Sequence, residues 1–278
     1  MLDAGHSPRG EPPRAMDATQ RGTPPLIMLR GVAVHAIDRA ETIEHVFDEL
    51  EADRGGWIIT VNLQHMHRCE NDVTYRHLVK EAELVVADGM PLVWAARLHG
   101  TPLPERVAGS DLVPQISAAA AEKGRSIFLI GGAAGAAAGA AAALRAKHPN
   151  LMIAGTHVPP YGFEDDDEEV EKIRRAVVEG SADIIFVALG SPKQERLIYR
   201  LKNECPRAWW LGVGISFSFL AGQVHRAPPL LQRLGLEWLH RLVQEPRRLF
   251  RRYIIEGVPY GLKLMSSASL ERFRTKER

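Results

Sequence analysis

Runs rich in apolar residues recur at 26–34, 57–62, 84–87, 126–130, 151–157, 184–188 and 209–213, with helix-length segments between them. Most are continuous rather than alternating, as in L-V-V-A at 84–87 and I-I-F-V-A at 184–188. A strand reads this way when both of its faces are covered, which is the situation of a parallel sheet between helical layers. The spacing predicts helices over 40–53 behind Asp38, and over 71–82, 90–98, 112–123, 133–147, 168–179 and 192–203. Strand and helix alternating this often predict an α/β chain, a Rossmann-like and mostly parallel sheet with helices on both faces and right-handed crossovers. The run at 26–34 is read as the first of seven strands.

The ends of the chain differ from its middle. Residues 1–25 are rich in Pro, Gly and charge and lack the apolar centre of a signal peptide, so they read as a disordered tail. No run approaches the roughly 20 apolar residues that span a bilayer. Two cysteines, Cys69 and Cys205, suit a reducing compartment and no disulfide framework. The net charge of +1 hides an asymmetry: residues 226–278 carry 12 Lys and Arg against 5 Asp and Glu, and the rest carries 23 against 29. The expected organisation is a tail over 1–25, a catalytic core over 26–222 and a basic helical appendage over 223–278. Within the appendage Leu239, Leu242, Val243, Leu249, Phe250, Tyr253 and Ile254 follow helical spacing, broken near Pro246. Arg247, Arg248, Arg251 and Arg252 crowd six residues as like-charged pairs four apart, so they want anions. Beside apolar side chains, they predict an amphipathic helix on an anionic membrane surface.

Ligands of such a sheet bind outside the carboxyl ends of its strands. There the sequence places Thr60 and Asn62, Asp88, Gly131 and Gly132, and the stretch S-P-K-Q ending at Gln194. Asp88 ends the buried run L-V-V-A and has two readings: N-cap of the helix starting near Met90, or catalytic base. Gly131 and Gly132 fit a close backbone approach to a nucleotide, or a tight turn. The dinucleotide spacing fails because Ile130 stands where its first glycine belongs, and the phosphate-loop motif is absent. No metal is expected. His65, His67 and Cys69 do not share a helical face, and Asp165 to Asp167 belong to an acidic run that suits a helix N-terminus. A competing reading is a nucleotide- or nucleic-acid-binding protein with a polyanion-gripping tail, although no nucleic-acid motif is present.

The motifs T-V-N at 60–62, A-D-G-M-P at 87–91, P-E-R-V-A-G-S-D at 104–111, S-P-K-Q-E at 191–195 and G-L-E-W-L-H-R-L-V-Q-E-P-R-R-L-F-R-R-Y at 235–253 occur in order. Together they resemble the WecG/TagA/CpsF family of bacterial glycosyltransferases. The resemblance implies an inverting, metal-independent transfer of a hexose, N-acetylmannosamine or a relative, from a UDP-sugar to a polyprenyl-diphosphate-linked acceptor. It implies work on the inner face of the cytoplasmic membrane, feeding teichoic acid, enterobacterial common antigen or exopolysaccharide. The family's base falls on Asp88, and its pocket residues on Thr60, Asn62, Arg106 and Gln194. Arg241, Arg248 and Arg251 best match the arginines that the appendage lends to the site, with Arg247 and Arg252 beside them. Self-association through the Trp- and Leu-rich appendage stays open.

Overall fold

The computed structural model describes residues 24–276, so the tail read over 1–25 lies almost wholly outside the described residues. The run at 26–34 is not one strand of the main sheet. It folds back on itself as β1 (Leu26–Leu29) and β2 (Val32–His35), paired antiparallel with Leu29 opposite Val32. Arg30 and Gly31, at φ 45° and 79°, form the turn, both in the left-handed region that a two-residue hairpin demands. The remaining strands are β3 (Gly56–Val61), β4 (Leu84–Ala87), β5 (Ser126–Gly131), β6 (Met152–His157), β7 (Ile184–Ala188) and β8 (Trp209–Gly212). They make one parallel sheet in the order β4-β3-β8-β7-β5-β6. The hairpin covers its β4 edge, where the buried His35 ring accepts the Val85 N–H at 3.0 Å, so that edge is not left bare.

The helices, in chain order, begin with α1 (Arg39–Glu51), α2 (Leu63–Asn71), α3 (Val73–Lys80), α4 (Met90–His99) and α5 (Gly109–Glu122). Next come α6 (Ala136–Lys147), α7 (Asp167–Gly180), α8 (Lys193–Leu201) and α9 (Ser216–Leu220). The chain ends with α10 (Pro229–Arg233), α11 (Glu237–Gln244), α12 (Pro246–Phe250) and α13 (Val258–Lys276). The continuous apolar runs are explained by two cores, one on each sheet face. Ile58, Val86, Leu129 and Phe186 point to the core shared with α1, α5, α6 and α9. Their chain neighbours Ile59, Val85, Ile130 and Val187 point to the core shared with α2, α3, α4, α7 and α8. Asp38 and Glu41 form a capping box on α1, and Asp166 caps α7 by accepting from Glu168 and Glu169 N–H, which accounts for the acidic run.

The basic C-terminal segment is built into this body. α13 packs along α4, and its Tyr260, Leu264 and Ala268 are buried in the second core. Glu70 of α2 receives Arg30 of the hairpin at 2.9 Å and Lys263 of α13 at 2.5 Å. Between α12 and α13 the helix widens into a π turn over Arg251–Gly257, a form rare enough that it usually marks a local demand on side-chain placement.

Candidate active site

The carboxyl ends of β3 and β4 lie side by side, Val61 in register with Ala87. The Asp88 N–H continues the ladder to Val61 O at 2.7 Å, and Val107 N–H reaches Ala87 O at 2.8 Å, which brings Arg106 to the same corner. Asp88 does not cap the helix that follows it. The N-cap is Gly89, at φ 128°, and no side chain caps α4. A conformation of that kind is open to glycine and strained for other residues, so Gly89 turns the chain and leaves the Asp88 carboxyl to the cleft.

That carboxyl is half-buried at the edge of the cleft. Burial pushes the Asp88 pKa up to about 6; Arg106 pulls against it, Glu237 and Asp111 reinforce it, and His65 opposes it. A carboxyl that titrates near neutrality is charged enough to accept a proton and basic enough to hold one.

Thr60 is buried on β3, its hydroxyl 3.5 Å from where a Cβ on Gly109 would stand, so the first turn of α5 closes tightly over it. Asn62 is a helix cap: its Oδ1 accepts from Gln64 and His65 N–H at 3.0 and 3.3 Å, leaving Nδ2 for a ligand. The His65 ring returns the favour, accepting Asn62 N–H at Nδ1 over 3.2 Å, which leaves the ring proton on Nε2, 3.6 Å from Glu195. Glu195 is 2 % exposed. Burial works against its charge, yet His65, Gln194 and Ser191 hold its pKa below the usual carboxylate value.

Gln194 is fully engaged inside the protein. Its Nε2 donates to Glu195 at 2.8 Å and its Oε1 accepts the Gly214 N–H at 3.1 Å. It therefore ties the end of β7 to the loop after β8 and shapes the cleft floor.

Gly131 and Gly132, at φ 88° and 89°, stand apart from this corner. They end β5, four strand spacings from β4, or about 19 Å. The close approach they permit is to the protein itself. A Cβ on Gly131 would lie 2.6 Å from the Leu189 side chain, and the Gly132 N–H is taken by Ala188 O at 2.8 Å. Of the two readings for this pair, the tight turn is the one the Gly132 N–H serves, since it is spent on the backbone of β7.

The C-terminal segment completes the corner. Arg252 lies within electrostatic reach of Asp88, Arg241 and Arg248: burial holds its pKa below the ordinary arginine value, Arg241 and Arg248 add to that, and Tyr253 and Asp88 oppose it. Arg252 lines a small cavity with Leu63, Gln64 and His67. The buried Nε atoms of Arg252 and Arg241, and Nη2 of Arg226, have no hydrogen-bond partner. Arg251 is different from the expectation: it is 82 % exposed and paired with Glu256 at 3.1 Å. Arg247 is exposed as well, and Arg248 is 60 % exposed and held by Glu245 at 2.6 Å.

Arg106 does not stand free. It donates to Asp111 at 2.9 Å and to Glu237 of α11 at 3.0 Å, across 131 residues of chain. Arg226 repeats the pattern, to Asp111 at 2.7 Å and Glu237 at 3.3 Å. Sequence reasoning missed Glu237, Arg226, His65 and Glu195 as members of the corner. The signal was slight: Glu237 is an acid at the head of a strongly basic stretch, and Glu195 an acid beside a polar strand end. His65, His67 and Cys69 go separate ways: His67 packs on Tyr260, and burial pushes the Cys69 thiol up to about 11. Among the described residues no group of three such side chains could hold a metal, and no helix is long and apolar enough to cross a membrane.

Residues 27–274 match the family described as Glycosyl transferase WecG/TagA/CpsF, nearly the whole chain. The chain belongs to that family: it is a glycosyltransferase of cell-surface polysaccharide synthesis.

Proposed function

We propose that this WecG/TagA/CpsF-family glycosyltransferase moves a hexose, N-acetylmannosamine or a close relative, from a UDP-sugar to a polyprenyl-diphosphate-linked sugar, inverting the anomeric carbon without a metal. The observation that carries the reading is the pairing of a carboxyl titrating at about 6 with buried arginine nitrogens that lack any partner in the protein. An unsatisfied buried donor costs stability, roughly 1–3 kcal/mol and more for a charged group, and a ligand that pairs with it recovers that cost. A diphosphate fits, because guanidinium groups pair with phosphate oxygens in two places.

In this mechanism Asp88 accepts the proton of the acceptor hydroxyl as its oxygen attacks the anomeric carbon. The bond from that carbon to the diphosphate oxygen breaks, and UDP leaves with the electron pair. Arg252 and Arg241 stabilise the charge that collects on the diphosphate, which is where preorganised donors act most strongly. Thr60 and the Nδ2 of Asn62 line the sugar's approach, and Gln194 holds the floor beneath it. Arg106 is held by Asp111 and Glu237 and acts on Asp88 through its charge.

Membrane attachment follows from the other face of the same segment. Leu230, Leu234, Leu239, Val243, Phe250 and Ile255 are exposed around the exposed Arg247, Arg248 and Arg251. Apolar side chains rimmed by cations suit the headgroup layer of anionic lipid, the place where a polyprenyl-linked acceptor is found. In this reading the enzyme works at the inner face of the cytoplasmic membrane. Calorimetric titration with UDP in metal-free buffer, with NAD as control, tests the donor. Saturable binding of UDP alone is expected; its absence, with anionic vesicles present as well as without, would defeat the proposal.

A further inference from the structure

Two acids and two arginines beside Asp88 form a closed ring. Each of the Asp111 and Glu237 carboxylates uses both oxygens, and each of the Arg106 and Arg226 guanidiniums touches both acids. All four side chains are between 13 % and 22 % exposed, so solvent screens them little. Three members come from the body of the fold or the loop just after it. The fourth, Glu237, is the first residue of α11, the helix that also carries Arg241.

The ring has no net charge, and Arg39 of α1, which reaches Asp111 at 4.0 Å, is itself balanced by Glu105 at 3.8 Å. Without Glu237 it would carry one uncompensated positive charge next to the base. Arginines near a carboxylate favour its ionised form and so strip its basicity. Asp88 also feels the charge of His65 from α2, and it shares the field of Arg252 of the π turn, which itself feels Arg241 of α11 and Arg248 of α12. A base in such company keeps its affinity for a proton only if the arginines closest to it are neutralised by something else. Glu237 supplies that, and it arrives only when α11 is seated.

We propose that Glu237 is a positioning residue: by closing the ring with Arg106, Asp111 and Arg226, it ties the seating of α11 to the competence of Asp88 as a proton acceptor. The inference rests on the reading of Asp88 as the base. It makes the C-terminal segment more than a source of phosphate-binding arginines, because those same arginines would weaken the base if the segment brought no acid with them. The arrangement also orders events. With α11 unseated, Asp88 is a weaker base and the diphosphate site is incomplete, so both halves of the chemistry are assembled by one movement.

The test is titration of Asp88 in the full chain carrying 13C-labelled aspartate, the Asp88 resonance being identified by its loss in Asp88→Asn. Glu237→Gln keeps the shape and loses the charge; the Asp88 midpoint should fall by about one pH unit, the size a single neighbouring charge produces. Arg226→Gln removes a positive member instead, and the midpoint should rise. Opposite shifts support the ring, since simple unseating of α11 by both variants would move the midpoint one way. Shifts in the same direction, or none, overturn it. Transfer from a UDP-sugar should fall about threefold at the plateau in Glu237→Gln, with its acid limb moved to lower pH. If Asp88→Asn stays fully active, the assignment of the base is wrong. If that variant is dead while Glu237→Gln titrates at the wild-type midpoint, the base stands and the role of Glu237 falls.

Discussion

Asp88→Asn should kill transfer and stabilise the protein, and the second effect can be worked from the structure. A carboxyl moved from its ordinary 3.8 to about 6 has lost preference for its charged form. At roughly 1.36 kcal/mol for each pH unit, that is about 3 kcal/mol. The sign follows from linkage: the folded state binds the proton more tightly than the unfolded chain does, so folding is favoured at low pH. That advantage is fully present below the unfolded value near 4 and is lost as pH rises through about 6. At pH 8 the wild type therefore carries the whole penalty of a buried, ionised Asp88. Asparagine has nearly the same shape and never ionises. The variant should be more stable than wild type by about 3 kcal/mol at pH 8, a rise in thermal midpoint of about 6 °C for a chain of this size. Near pH 4 the two should unfold together. Calorimetric scans at both pH values check this. Equal stability at pH 8, or the same gap at both, would refute the reasoning that burial sets the proton affinity of Asp88. Stability given up at a reacting group is a common feature of active sites.

Arg252→Ala should weaken UDP binding about tenfold by calorimetry, since a charged donor to phosphate is lost. Arg251→Ala, in an exposed arginine paired with Glu256, should change it less than twofold; equal losses would undo the assignment of arginines to the two faces. Gly131→Ala should destabilise by about 3 kcal/mol in urea, because its Cβ would meet Leu189 at 2.6 Å with φ at 88°; a loss under half a kcal/mol would mean the loop yields. Ending the chain at Gly222 should lower the urea midpoint of what remains, because Leu249, Tyr260, Leu264 and Ala268 leave the core. An unchanged midpoint would show that the C-terminal segment is only an accessory.

Much of the fold was legible because burial on both faces leaves a mark that needs no partner to be read. The runs that became β3, β4, β5, β7 and β8 are rich in apolar residues with little alternation, which marks them as central strands but leaves their register to the fold. The first run misled, since Leu26 to Val34 is as apolar as a strand of the main sheet. Its break is Arg30-Gly31, a weaker turn signal than Asn-Gly, and only the left-handed backbone at both positions reveals the hairpin. The helix over Leu63–Asn71 was half visible. Its cap, Asn62, was read as a pocket residue, and capping and binding draw on the same side-chain chemistry. For Asp88 the ambiguity ran the other way. Its sequence context suits a cap, and the fold gives that post to Gly89.

The arginines carry the harder lesson. Arg247 and Arg251 form one pair four residues apart, and Arg248 and Arg252 another; composition cannot say which pair turns inward. Helical spacing cannot either, because the helix breaks at Glu245 and Pro246, between Arg241 and Arg248. The fold leaves Arg247, Arg248 and Arg251 exposed and turns Arg252 inward, with Arg241 half-buried on the preceding helix. The π turn begins at Arg251, and Gly257 within it lets the chain pass where a Cβ would sit 3.0 Å from Arg252 O. One stretch of arginines thus divides into two settings. Arg241 and Arg252 keep buried Nε atoms without partners, whereas the exposed Arg248 and Arg251 pair with Glu245 at 2.6 Å and Glu256 at 3.1 Å; in the proposed function the first two meet the diphosphate and the others the lipid surface. Glu237 belongs to this division too. Like Glu245 and Glu256 it is an acid among arginines, yet it alone of the three is bonded to the body of the fold, which is the contact on which its proposed role beside Asp88 rests.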